Sequence, residues 1–185
     1  WSAPADFSFD QREWYSQALA DDKIHISNPY ISANNGKLTI TISKRLNTPS
    51  GVHVLAGDVA MDELITINSE DVDRVKRSSS RLAVGSTLSR QELLHLALMS
   101  SENRAAHALG RTYPGGLNEA VRAMNLRALM LGMRDTRYVE PTGLSSANQS
   151  SAHDLAQLVK AAYRYPLIRN YTTYPGARFP VLGQM

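Results

Sequence analysis

The run Leu98-Met99-Ser100-Ser101-Glu102-Asn103-Arg104-Ala105-Ala106 gathers hydroxyls, a carboxylate and a carboxamide at adjacent positions. A serine hydroxyl attacks a carbonyl only when a base lies within hydrogen-bond reach. A Ser-x-x-Lys helix supplies that base, because residues i and i+3 share one face. No Ser-x-x-Lys occurs among the 185 residues. The nearest approximation, Thr41-Ile42-Ser43-Lys44, lies in a stretch that alternates like a strand, where Thr41 and Lys44 point to opposite faces. No Lys-Thr-Gly occurs either, and Thr142-Gly143 simply follows a proline. His25, His53, His95, His107 and His153 show no His-x-x-x-His spacing of the zinc-protease kind. With no cysteine at all, disulfides and thiolate sites are excluded, so neither metal nor cofactor is expected. A Ser–His–Asp triad stays open, although no Gly-x-Ser-x-Gly elbow is present. By default, Ser101 with Glu102 is a helix-junction pair, and His153 beside Asp154 does capping chemistry.

These residues must be positioned by elements that differ along the chain. In residues 1–63, Asp10 is placed to cap a helix carrying Trp14, Tyr15, Ala18 and Leu19. Asn34-Asn35-Gly36 signals a turn, Leu38-Thr39-Ile40-Thr41-Ile42 alternates as a half-buried strand, and Asn47-Thr48-Pro49-Ser50-Gly51 turns into Val52–Gly57. An antiparallel hairpin is the natural arrangement. Residues 64–185 read as helical. Ser89-Arg90-Gln91-Glu92 is a capping box opening a helix apolar nearly all round, which predicts a buried central helix. Pro114-Gly115-Gly116 precedes a helix striped by Leu117, Val121, Met124, Ala128 and Leu131 and ended by Gly132. Ser151 caps a last helix carrying Leu155, Leu158, Val159 and Ala162, stopped before Pro166. Glycine, proline and serine are absent between Asp58 and Leu64, so the two parts are expected to pack together rather than hang on a flexible linker.

Composition agrees with a folded domain: 43% of residues are hydrophobic and 20% charged, values ordinary for a globular protein. No apolar run approaches the roughly 18 residues of a membrane span. The chain opens on Trp1 without an initiator methionine or a signal-peptide pattern, which reads as a mature or excised segment. Residues 1–63 carry 5 Lys/Arg against 8 Asp/Glu, and residues 64–185 carry 15 against 9. The basic residues read as scattered singly rather than clustered with aromatics, which favours a solvated surface over nucleic-acid binding.

Gln11-Arg12-Glu13-Trp14-Tyr15, Ile26-Ser27-Asn28-Pro29-Tyr30, Gly36 through Lys44 and Leu55-Ala56-Gly57-Asp58-Val59 resemble, in that order, the Cache sensor domains of bacterial chemoreceptors. The resemblance covers residues 6–63. It implies an amino-acid site in which Arg12, Trp14 and Tyr15 hold a carboxylate while Tyr30 and Asp58 hold an ammonium group, consistent with guanidinium–carboxylate pairing. Phe7 stands where that family usually has a tyrosine, and the long first helix and first strands of the module are missing.

From Met61 to Tyr174 the chain resembles low-molecular-mass penicillin-binding proteins of the D-alanyl-D-alanine endopeptidase type. Ser69-Glu70-Asp71-Val72, Arg81-Leu82-Ala83-Val84-Gly85, Leu93 through Ala106 and Tyr138 through Ser145 carry the likeness. It implies a helical subdomain in which Ser101 relays protons beside the nucleophile and Asn103 hydrogen-bonds the substrate backbone. The nucleophile-bearing portion of that family is replaced here by the sensor-like stretch.

The expectation is therefore an α+β chain, with a small antiparallel sheet in residues 1–63 packed against a mainly helical region in residues 64–185. A recombined or engineered chain without a complete catalytic site is the leading reading. A peptidoglycan-peptide binder or residual serine hydrolase using Ser101 and Asn103 is the second, and an amino-acid-binding sensor fragment the third. Parentage suggests a periplasmic or other extracytoplasmic bacterial setting. The open edges of a short sheet would also allow a homodimer.

Overall fold

The computed structural model describes residues 8, 11–32, 36–179 and 181. The chain divides into two compact units, residues 1–63 and 64–185. The architecture is α+β, as the residue pattern predicted, with a small antiparallel sheet and a larger set of helices.

In the first unit, helix α1 (Glu13–Ala20) precedes β1 (Ile24–Ile26), β2 (Tyr30–Ile31), β3 (Leu38–Thr48) and β4 (Gly51–Ala60). Arg12 occupies the N-cap of α1 without a side-chain cap. The proposed cap Asp10, the turn residues Asn34 and Asn35, and Phe7 lie outside the described residues. The hairpin is longer and tighter than its sequence suggested. β3 and β4 stay paired from Thr39↔Ala60 to Thr48↔Gly51, leaving only Pro49 and Ser50 at the turn. Gly51 has φ +128°, which L-residues rarely adopt. The sheet is more than a hairpin, because β1 and β2 both pair antiparallel with the other edge of β3.

Strand periodicity placed β3 at a half-buried face, and the structure decides which residues face inward. Thr39, Thr41 and Ser43 are the buried ones, with Thr41 at 0% exposure, whereas Ile42 is 41% exposed. The reason is visible on that face: Ser43 donates to the Trp14 carbonyl at 2.8 Å, and the Thr41 backbone N–H donates to Ser27 Oγ at 2.9 Å. Each buried polar group has a partner, so its desolvation is offset.

The second unit builds an apolar core. β5 (Leu64–Thr66) pairs with β6 (Thr87–Ser89), setting Ile65 opposite Leu88. Helices α2 (Arg90–Ser100), α3 (Asn103–Arg111), α4 (Leu117–Met130), α5 (Ala152–Ala162) and α6 (Pro166–Thr172) follow. The Ser89–Glu92 capping box forms as predicted, with Ser89 N donating to Glu92 Oε2 and Glu92 N to Ser89 Oγ. Ser151 likewise caps α5 by accepting the Asp154 N–H. Ile65, Ile67, Leu82, Leu88, Leu93, Ala105 and Ala108 form the buried centre. Contrary to expectation, only Leu93 of α2 is fully buried; its neighbours are half-buried. Of the apolar residues of α5, Leu155 and Val159 are exposed, Val159 at 65%, while Leu158 and Ala162 are half-buried. Pro166 not only stops α5 but opens α6, where the first helical position tolerates its missing N–H. Gly110 is required by close approach: a Cβ there would lie 2.9 Å from Pro141 Cγ.

Candidate functional site

Helix α2 ends at Ser100, and Ser101 takes the left-handed conformation (φ 55°, ψ 41°) that ends it. For a residue other than glycine this costs about 1 kcal/mol. The Ser101 backbone N–H caps α2 by reaching the Leu96 carbonyl. Glu102 then caps α3 by accepting the Arg104 N–H at 3.1 Å. Ser101 and Glu102 are thus the helix-junction pair the sequence suggested. Ser101 is exposed, and among the described residues its hydroxyl touches no base and makes no hydrogen bond.

Asn103 is held from a segment 25 residues away. Its Nδ2 donates to Ser78 Oγ at 3.1 Å, and Ser78 Oγ donates to Asp73 Oδ2 at 2.7 Å. Asp73 also accepts the backbone N–H groups of Val75, Lys76 and Ser78. Those bonds, Ser78 foremost, hold its carboxyl below the usual carboxylate range. Alongside, Ser80 Oγ donates to Glu102 at 2.9 Å and Arg104 donates to the Leu82 carbonyl at 2.7 Å. The loop between Asp73 and Leu82 is therefore fastened to the α2–α3 junction. Among the described residues, the Asn103 carbonyl and its second N–H make no bond. One acceptor and one donor in fixed orientation match the donor and acceptor of a peptide backbone.

This loop corrects the reading that basic residues are scattered. Arg74, Lys76, Arg77 and Arg81 all lie on it and all are exposed.

Beneath the loop, Asp71 is buried at 2% exposure. It accepts from His107 Nδ1 at 2.7 Å, from Arg111 Nε and an Arg111 terminal N–H, and from the Asn68 N–H. Burial pushes its pKa up, but the bonds from His107, Arg111 and Asn68 outweigh this and bring it down to about 2. His107 and Arg111 are four residues apart on one face of α3, which is why a single carboxylate serves both. The Tyr138–Ser145 stretch is organised by Glu140, which accepts from Thr142, the Ser145 N–H and Asn148 Nδ2. Asp154, not His153, carries the polar work at the start of α5. It accepts the Asp135 N–H and the Thr136 hydroxyl, both at 2.8 Å, while His153 stands 3.4 Å away.

In the first unit a second constellation converges. Tyr30 Oη and Thr41 Oγ1 are 2.5 Å apart, and Thr41 Oγ1 donates to Asp58 Oδ1 at 2.7 Å. The register sets Thr41 opposite Asp58. Burial raises the Tyr30 pKa and Asp58 adds to the rise, while Thr41, Arg12 and Trp14 oppose it. Tyr30, Thr41 and Asp58 therefore form one hydrogen-bonded chain, which also feels the charge of Arg12. Tyr15 meets Trp14 edge-on at 5.8 Å between centroids. Thr41, which sequence reasoning treated only as a failed nucleophile, is the link, and Lys44 lies on the opposite face of β3. The register of the hairpin turn was the available signal for that link.

No group of three His, Asp or Glu side chains able to hold a metal occurs among the described residues, and no helix there is long and apolar enough to cross a membrane.

The sequence pattern of the D-alanyl-D-alanine carboxypeptidases, peptidase family S11, matches residues 52–181. The chain belongs to this family. The match begins inside β4 and runs through the α2–α3 junction and the Glu140 loop. A D-alanyl-D-alanine endopeptidase of Pseudomonas aeruginosa is 44% identical over 143 residues, covering 77% of this chain and 46% of that protein. The crystal structure of a D-alanyl-D-alanine carboxypeptidase from Mycobacterium tuberculosis superposes with a TM-score of 0.56 at 27% identity, covering 66% of this chain and 47% of that one. The chain thus spans under half the length of these family relatives. A methyl-accepting chemotaxis protein of Bacillus subtilis, TlpA, is 38% identical over 64 residues, 34% of this chain and 9% of that protein.

Proposed function

We propose that the chain is a recombined or engineered protein in which a Cache-like sensor unit stands before the helical region of a D-alanyl-D-alanine peptidase. In this reading it folds and holds wall peptide at Asn103 but does not cut it, and its setting is extracytoplasmic. The observation that carries it is the state of the Ser-x-Asn element. Asn103 is oriented with a free donor and acceptor, while Ser101 is exposed without a base and no Ser-x-x-Lys exists in the sequence. Nucleophile and base act as a unit, so losing them costs many orders of magnitude in rate. Incubation with a labelled penicillin is expected to give no covalent adduct, and stable labelling at any serine overturns the reading. Titration with a D-Ala-D-Ala peptide is expected to show weak binding that Asn103→Ala abolishes.

A second reading is favoured by the Tyr30–Thr41–Asp58 chain: Arg12 and Asp58 grip a free amino acid, one at each charged end. A thermal-shift screen across amino acids checks it, with Arg12→Ala as the control; no stabilisation of either protein sinks it. β4 pairs on one edge only among the described residues, which supports edge-to-edge pairing of two copies. Sedimentation at rising concentration reads that directly.

A further inference from the structure

The segment Arg74–Arg81 carries Arg74, Lys76, Arg77 and Arg81 and no acidic residue. All four cations are exposed, and none makes an ion pair among the described residues. The carboxylates bonded to this loop are already engaged: Asp73 by Ser78 and three backbone N–H groups, Glu102 by Ser80 and the Arg104 N–H. They fasten the loop rather than neutralise its charge. Arg77 is moreover held at φ 53°, in the left-handed region, where a residue with a Cβ is strained. Its neighbour Ser78 is the residue that grips Asn103. Four exposed cations thus lie on a loop that hydrogen bonds fasten to the amide with a free donor and acceptor.

We infer that the cationic loop Arg74–Arg81 anchors the carboxylates of an acidic peptide whose backbone lies on Asn103. This rests on the reading that Asn103 holds peptide. It adds the residues that read the free carboxylates of that peptide, which are the cations of the loop. Guanidinium and ammonium groups supply steering and weak paired contacts for such carboxylates, screened by salt. Recognition of nucleic-acid bases would need aromatic stacking platforms or a groove-reading element, and the loop offers neither; phosphate attraction alone is what a DNA probe tests.

The test is fluorescence anisotropy of the intact chain with four labelled probes. They are an acidic peptide ending in D-Ala-D-Ala, the same peptide with its side-chain carboxylates amidated, hexaglutamate, and a short DNA oligonucleotide. The triple variant K76Q/R77N/R81Q removes charge while asparagine tolerates the left-handed backbone at position 77; its far-UV spectrum and thermal midpoint are expected to match the parent. The acidic peptide should bind about tenfold more tightly than its amidated twin at low salt, and the variant should erase that difference. Equal affinity for the two peptides overturns the inference, as does a variant that keeps the preference. If hexaglutamate binds and the variant loses it while neither D-Ala-D-Ala peptide binds, the anchor stands and the Asn103 reading falls. If no acidic probe binds, the anchor falls. DNA binding as tight as hexaglutamate overturns the assignment to peptide.

Discussion

The two units bury opposite chemistries. Among the described residues, the sheet unit hides Ser27, Ser32, Thr39, Thr41 and Ser43 alongside only Ala18 and Met61, and leaves Ile42 and Leu55 at 41% and 64% exposure. The helical unit hides Ile65, Ile67, Leu82, Leu88 and Leu93; its buried polar residues among those described are Asp71, Ser86 and Asp154, and the two carboxylates tie loops to helices. A polar interior depends on matched hydrogen bonds, whose net worth is small but whose loss is costly. An apolar interior depends on packing. The first kind is sensitive to the loss of any one partner, the second to the loss of volume.

This contrast can be broken with one pair of probes. Both tryptophans, Trp1 and Trp14, lie in residues 1–63, so tryptophan fluorescence reports the sheet unit, while the helical far-UV signal is dominated by residues 64–185. The largest effect is expected for Leu93→Ala, at about 3 kcal/mol of destabilisation from a core cavity, read as a lower midpoint in the far-UV signal alone. If fluorescence moves equally, the two units unfold as one block and the contrast is energetic fiction. Next comes acid. The folded pKa of Asp71 lies below its usual value, so its stabilising contribution is present above about pH 4 and is lost as pH falls toward about 2. Asp154 and Glu140 are lowered too, so the helical signal should lose stability through that window. Asp71→Asn should lower stability at neutral pH and flatten the acid dependence; an unchanged slope would show that Asp71 is not the group responsible. Thr41→Val should cost about 1–2 kcal/mol by stranding the half-buried Tyr30 hydroxyl, seen only by fluorescence. Ser89→Ala removes the α2 cap and should cost about 1 kcal/mol, seen only in the far-UV signal. Leu55→Thr, on the exposed face, should stay within about 0.5 kcal/mol; a larger loss would mean that this face is covered in solution.

Helix α2 was legible because its capping box is a local device, complete within four residues, and α4 and α5 because glycine and serine mark their ends. The β3–β4 turn was legible through Pro49 and Gly51. Other elements were not. β1, β2, β5 and β6 have at most three residues, too few to show a period, and exist because a longer partner or a core residue recruits them. Alternation alone left the buried side of β3 open: hydropathy favours Ile40 and Ile42, whereas the hydrogen bonds that Thr41 and Ser43 donate to Ser27, Asp58 and the Trp14 carbonyl favour the threonine face. The apolar residues of α5 could be listed from the sequence but not their burial, and Leu155 and Val159 are exposed. Of the candidate sites, Ser101 and Asn103 could be named from type and spacing. The loop that orients Asn103 could not, since Ser78 is 25 positions away.

Sequence alone determined the pieces whose physics is local: the Ser89–Glu92 capping box, the place of the β3–β4 turn, the absence of a Ser-x-x-Lys base, and the likeness of residues 61–174 to a D-alanyl-D-alanine peptidase. Tertiary structure decided the rest. It chose which face of β3 is buried, joined Tyr30, Thr41 and Asp58 in one hydrogen-bonded chain, and bound Asp71 to His107 and Arg111. It also turned four cations into one loop beside Asn103. The reason is common to all of these. A hydrogen bond or a buried charge is satisfied by whatever lies near in space, and nearness in space across tens of residues is a property of the packed chain.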